Sequence, residues 1–268
     1  MVNVQMVNVM TVLYEDNHII AVNKTCNEIV QGDKTGDTPL SETVKAYIKD
    51  KYNKPGEVFL GVTHRLDRPT SGVVLFARTS KALTRLNEMF KEKSVSPKDG
   101  LSVKRSVSEA VCQSGGRSIK KTYWAIVQGA PKVPEARLEN WLVRNEAQNK
   151  SYIVRTKDRF AEGQKTIDKN AKQAILSYKT LVKGDHYTLL EVNLETGRHH
   201  QIRCQLAAIG CPINGDLKYG AKRSNPDGGI CLHARKIEFI HPVKKENICI
   251  TAPVPDDALW RALTQEIQ

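Results

Sequence analysis

The sequence predicts an α+β protein built on one long sheet, antiparallel or mixed, with a few helices packed against it. Three observations predict this class. Short segments alternating apolar and polar residues recur along the chain, the period of a half-buried strand. From residue 120 to 194 five of them follow one another through short connections, which suits hairpins and leaves no room for βαβ units. Four stretches have helical spacing, each with its own start or stop signal. With 268 residues, 40% of them hydrophobic, the chain is long enough to bury a substantial core.

The elements follow in order. Residues 11–14 and 19–22 are two strands around a polar turn at Glu15 to Asn17. Thr38-Pro39-Leu40 opens a helix running to Lys51, with Val44, Tyr47 and Ile48 on one face. A loop at 53–56 closes it. A strand, a loop through Asp67, and the apolar strand 73–77 come next. Thr79 and Ser80 cap a helix to Lys91, with Leu83, Leu86 and Phe90 inward. Residues 94–118 interrupt the pattern: seven of these 25 are serine, and Gly115-Gly116 adds slack. They read as a flexible insertion, or as an RNA-contacting arm, since Lys98, Lys104, Arg105 and Arg117 lie within it. Strands are expected at 120–129, 138–144, 151–156, 173–183 and 187–194. A helix over 200–209 stops at Gly210. Strands at 230–240 and 248–252 and a helix over 255–264 complete the chain.

Charge points to the class of partner. Lys and Arg number 41 against 29 acidic residues, a formal +12, which suits a polyanion and above all nucleic acid. Cys26, Cys112, Cys204, Cys211, Cys231 and Cys249 form no C-x-x-C pair, so free thiols in a reducing cytoplasm are expected. Residues 1–10 have neither the basic start nor the apolar core of a signal peptide, and no run of 18 apolar residues exists.

Four clusters carry candidate chemistry. His64-Arg65-Leu66-Asp67-Arg68-Pro69-Thr70-Ser71-Gly72 sets one carboxylate between two guanidinium groups, on a loop stiffened by Pro69 and Gly72. Asp67 is a candidate nucleophile; a surface ion pair would have the same pattern. Strand alternation puts Lys121, Tyr123 and Ala125 on one face, where Tyr123 can stack on a base while Lys121 meets phosphate. Thr196-Gly197-Arg198-His199-His200-Gln201-Ile202-Arg203 turns into a helix, where Arg198 and the helix terminus suit an anion. Arg203 needs a partner if buried, and Asp67 is one candidate. The adjacent histidines could be zinc ligands, but no H-E-x-x-H or cysteine pair accompanies them. Residues 214–220 with 232–234 read as support for a nearby site. Phosphate-loop, dinucleotide and G-x-S-x-G signatures are absent.

Together H-R-L-D-x-x-T-S-G, K-x-Y-x-A, T-G-R-x-H-Q-I-R, G-D-x-x-Y-G and L-H-A, in this order over residues 64–234, resemble the RluA-type pseudouridine synthase family. The resemblance implies a bifurcated mixed sheet with a central cleft. It implies an isomerase that flips a uridine out of structured ribosomal or transfer RNA and converts it to pseudouridine without a cofactor or metal. It implies catalytic roles for Asp67, Tyr123 and Arg203, and RNA contacts from Arg65, which fills the gap left by the base, and from His64, Arg68, Lys121 and Arg198. Leu232 and Ile202 support the pocket. Residues 11–255 would form the catalytic domain, with 256–268 a closing helix and a monomer the expected state. Asn23-Lys24 is followed by Thr25-Cys26-Asn27, where many members have Pro-x-Gly. A non-catalytic RNA-binding protein is the alternative.

Overall fold

The computed structural model describes residues 10–33, 35–91, 119–154, 170–265 and 267. The expected insertion at 94–118 lies outside them, as do the last two residues of the strand expected at 151–156.

The strands are β1 (Thr11–Glu15), β2 (Ile19–Lys24), β3 (Gly61–Val62), β4 (Ser71–Ala77), β5 (Lys120–Gln128), β6 (Glu135–Asn145), β7 (Lys150–Ile153), β8 (Lys172–Lys183), β9 (Tyr187–Leu194), β10 (Leu232–Ile240) and β11 (Asn247–Thr251). The helices are α1 (Leu40–Lys51), α2 (Ser80–Lys91), α3 (Gln201–Ala208) and α4 (Ala258–Thr264). The strands form one sheet in the order β1-β2-β4-β10-β5-β9-β8-β6-β7, with β3 on β4 and β11 on β10. All described pairs are antiparallel except β4 with β10. The α+β reading therefore stands, and the sheet is mixed.

The sheet forks at the single parallel contact. His233 and Ala234 of β10 lie opposite Ser71 and Gly72 of β4. Beyond this point the strands part: β10 continues with β11 from Lys236 to Ile240, and β4 ends on β3 at Phe76 and Ala77. The β10 register against β5 also shifts between His233 and Lys236. Gly72 is required here. Its φ is +114°, and a Cβ would overlap the Ala234 backbone. In the mouth of the fork Leu75 has no strand partner on that side among the described residues. The Thr63 hydroxyl donates to its carbonyl at 2.6 Å, and His64 Nε2 accepts its N–H at 3.0 Å.

Burial follows strand and helix periods. Every residue of β4 is buried, as a strand covered on both faces requires. Val74 and Phe76 join a cluster with Leu40, Val44 and Ile48 of α1, whereas Val73, Leu75 and Ala77 pack on Ala82, Leu86 and Met89 of α2. Leu40, Val44 and Ile48 recur every four residues, and burying each contributes about 2 kcal/mol. Pro39 precedes the first turn of α1 in an extended conformation. Thr79 Oγ1 accepts the Ala82 amide at the start of α2.

Some boundaries differ from the sequence reading. β6 begins at Glu135, not 138, because its polar first half is held by register with β8. β10 and α4 begin later than expected, at Leu232 and Ala258; Asp257 caps α4 by accepting from Leu259 and Trp260. Leu83 and Phe90 are only half-buried, and Ala82 and Met89 take the inner face of α2 with Leu86.

Candidate active site

A cavity of about 660 Å³ opens between the Asp67 loop, β5, α2 and the turn into α3. Asp67, Arg65, Tyr123, Lys121, Arg198, Arg203, Ile202 and Leu232 all line it. The structure thus brings together residues as far apart in sequence as His64 and Leu232.

The Asp67 loop is held from below by a lysine. Lys24 is fully buried, and its Nζ donates to the carbonyls of Thr25 (2.9 Å), Arg68 (2.9 Å) and Thr70 (2.7 Å). Its three N–H groups are then matched by three acceptors. Burial pushes its pKa down to about 8. The Thr70 amide closes the turn on the Asp67 carbonyl at 3.0 Å, and the Ile230 amide bonds the Pro69 carbonyl. Rigidity here comes from Lys24 as much as from Pro69 and Gly72.

Asp67 is about one-third exposed, and its Oδ2 accepts from Arg203 Nη1 at 3.3 Å. Arg203 has a stronger partner. Its Nε and Nη2 donate to both oxygens of the buried Asp216, at 2.6 and 2.8 Å. The guanidinium carbon also lies 5.2 Å from the centre of the Tyr219 ring. The expected Arg203–Asp67 pair exists, but it is the looser of two. Asp216 and Tyr219 come from the stretch read as supportive; the capacity of an arginine for more than one carboxylate was the signal for a second acid.

Tyr123 is buried on β5, and burial, with the Asp67 charge adding, pushes its phenol well above the usual range. A phenol held protonated suits stacking and is a weak base. Lys121 sits beside it, its Nζ 5.5 Å from the centre of the Phe90 ring, and burial lowers its pKa. Arg198 donates from Nε to the Gln173 carbonyl at 2.9 Å, and its carbonyl accepts the Gln201 amide. Part of the helix terminus expected to meet an anion is therefore occupied.

Two residues expected to meet RNA are engaged by protein partners. Arg68 does not line the cavity: it turns away to Asp37 (2.6 Å), Thr35 (2.8 Å) and Asp33 (3.6 Å). Asp67 is thus not clasped between Arg65 and Arg68. His64 lines the wall, but its Nε2 holds the Leu75 amide and burial drives its pKa down to about 3. It supplies a neutral surface and no positive charge. Lys91 and Arg144 are cavity cations that the sequence reading did not name. Arg144 arrives from β6, whose hairpin position only the strand pairing reveals. The ring nitrogens of the adjacent histidines all have protein partners within reach: Ser151 and Asn149 for His199, Tyr219 and Arg203 for His200.

The family described as RNA pseudouridylate synthase matches residues 18–98 and 104–208. The chain belongs to the RNA pseudouridylate synthase family. Its members are isomerases that convert uridine to pseudouridine in RNA. Curated relatives of this synthase chain include ribosomal large subunit pseudouridine synthase D of Xanthomonas campestris, 30% identical over 92% of this chain and 67% of the relative. They also include ribosomal large subunit pseudouridine synthase C of Buchnera aphidicola, 30% identical over 91% and 66%. The chain spans about two thirds of the length of these synthases. Among solved structures, human RNA pseudouridylate synthase domain containing 4 superposes with a TM-score of 0.68 at 22% identity, covering 92% of this chain and 89% of that one. That likeness carries the synthase fold.

Proposed function

We propose that this chain isomerises specific uridines in structured ribosomal or transfer RNA, with Asp67 as the catalytic carboxylate. One observation carries the reading: a partly exposed acid lines a cavity that also contains cations, with Tyr123 and Arg203 lining the same cavity. The curated relatives named for the ribosomal large subunit favour ribosomal RNA.

The reaction breaks the C1′–N1 bond, turns the uracil and joins C1′ to C5. C5 loses a proton and N1 gains one, so the product is an isomer and no energy source is needed. The base must first leave its stack, at a cost of about a few kcal/mol. Arg65, exposed at the rim, fills the vacated space with a flat cation. Lys121, Arg198 and Arg144 meet phosphates, which supplies affinity without reading sequence. Tyr123 stacks on the flipped base. Leu232 and Ile202, both buried, keep water from the opened glycosidic bond. Asp67 acts at the sugar, as the carboxylate of a retaining glycosidase does. A second carboxylate is unnecessary, because the uracil stays bound and no water is activated.

Residues 11–255 form the catalytic domain in this reading, with the final helix closing it, and the protein works as a cytoplasmic monomer. No described helix is long and apolar enough to cross a membrane. The test is tritium release from RNA labelled at uridine C5. Wild type releases label and Asp67→Asn does not; equal release from both defeats the assignment of Asp67.

A further inference from the structure

We propose that His200 is a positioning residue: as a neutral imidazole it takes one N–H of Arg203 and thereby divides that guanidinium between Asp216 and Asp67. The inference rests on the reading of Asp67 as the catalytic acid.

The hydrogen-bond network assigns the tautomer. A guanidinium only donates, and Arg203 Nη1 lies 2.9 Å from His200 Nε2. Nε2 must therefore present its lone pair. The ring proton is then on Nδ1, 3.1 Å from the Tyr219 hydroxyl. That oxygen can accept it, because it also accepts the Ser151 amide at 2.8 Å and donates its own hydrogen to the Ser151 carbonyl at 3.2 Å. A protonated ring would set an Nε2–H against Arg203. Burial opposes that form too and drives the His200 pKa down to about 2.

The donors of Arg203 are then shared out. Nε and Nη2 serve Asp216, one Nη1 hydrogen serves His200, and the other is directed to Asp67 Oδ2 at 3.3 Å. His200 Nε2 is 3.4 Å from the same Asp67 oxygen, lone pair facing lone pair, so it adds no second bond there. The consequence is an acid aligned by one hydrogen bond and free to move toward the ribose. Without the imidazole, that Nη1 hydrogen loses its neutral acceptor, and the guanidinium is no longer held in the orientation that aims its other Nη1 hydrogen at Asp67.

A second observation supports the assignment. His200 has a φ of +52°, in the left-handed region, immediately before α3. Such strain in a residue other than glycine marks sites where placement matters. It sets the ring three residues before Arg203 and stacks it on His199 at 3.8 Å.

The test combines spectroscopy and single-turnover kinetics on the full chain. Nitrogen-15 NMR of histidine-labelled protein at neutral pH should find His200 as the Nδ1–H tautomer; an Nε2–H ring or an imidazolium overturns the proposal, whatever the activity. His200→Leu should slow the chemical step about 10-fold or more while RNA affinity stays within about twofold. His200→Gln, whose amide can accept from Arg203 and donate to Tyr219, should recover the rate to within about threefold of wild type. Equal loss in both variants overturns it. If His200→Leu does not fold, Tyr219→Phe replaces it, with a slower step at unchanged affinity expected and an unchanged rate overturning the proposal. Absence of product from wild type on every RNA would defeat the function and leave the NMR answer intact.

Discussion

Lys24 and Thr70 lie 46 positions apart, yet the Lys24 ammonium donates to the Thr70 carbonyl at 2.7 Å from a fully buried position. The bond ties the end of β2 to the loop that carries Asp67. Replacing Lys24 by Met keeps the volume and strands three carbonyls. Lys24→Met should lower unfolding free energy by about 3 kcal/mol and slow catalysis as the loop loosens. Urea titration and single-turnover rates measure the two effects; an unchanged denaturation midpoint contradicts the anchor.

Asp216 and Asp67 share Arg203 unequally, and stability should follow. Asp216→Asn breaks a buried bidentate pair and should cost about 3 kcal/mol. Asp67→Asn removes a partly exposed single bond and should cost about 1 kcal/mol or less while abolishing turnover. Chemical denaturation of the two variants decides, and the reverse order would refute the division.

Arg144 points from the β6–β7 hairpin into the cavity, where its described polar contact is a long 3.4 Å approach to Asn149. A cation placed so should meet phosphate. Arg144→Ala should weaken RNA binding about tenfold and reduce the slope of log K against log salt by about one, with the chemical step unaltered. Fluorescence anisotropy at several salt concentrations tests this.

Three histidines whose pKa values are lowered, His200 and His233 buried and His64 half-buried, make the fold sensitive to acid. Burial holds His64, His200 and His233 at pKa values of about 3, 2 and 4. In the unfolded chain each titrates near 6.5, so below that pH the unfolded state binds more protons. Stability is therefore full above about pH 6.5 and falls toward pH 4, with a slope approaching about 4 kcal/mol per pH unit for three protons. Urea unfolding at pH 7.5, 6 and 5 reads the slope; less than one proton of uptake would contradict neutral burial.

Gly72 faces the Ala234 backbone where β4 and β10 run parallel. Gly72→Ala should cost about 3 kcal/mol or more, since it combines a positive φ with a backbone clash. A thermal midpoint within a degree of wild type would show that the strands can part freely.

Local pattern made much of this protein legible. The run Val73-Val74-Leu75-Phe76-Ala77, the stripe Leu40, Val44 and Ile48, and the faces of Lys121 and Tyr123 depend on side-chain periods of two or about four residues. The motifs named the cavity residues because each is a short stretch with its own geometry. Partner choice was decided only by tertiary structure. Arg68 adjoins Asp67 in sequence and turns to Asp37; His64 turns its ring to a strand edge; Arg203 binds Asp216, which is 13 positions away, more tightly than Asp67, which is 136 away. Charge attracts any opposite charge within reach, so sequence sets which groups can pair. Which of them meet, and which acid is left with the looser bond, depends on how the forked sheet brings distant loops to one cavity.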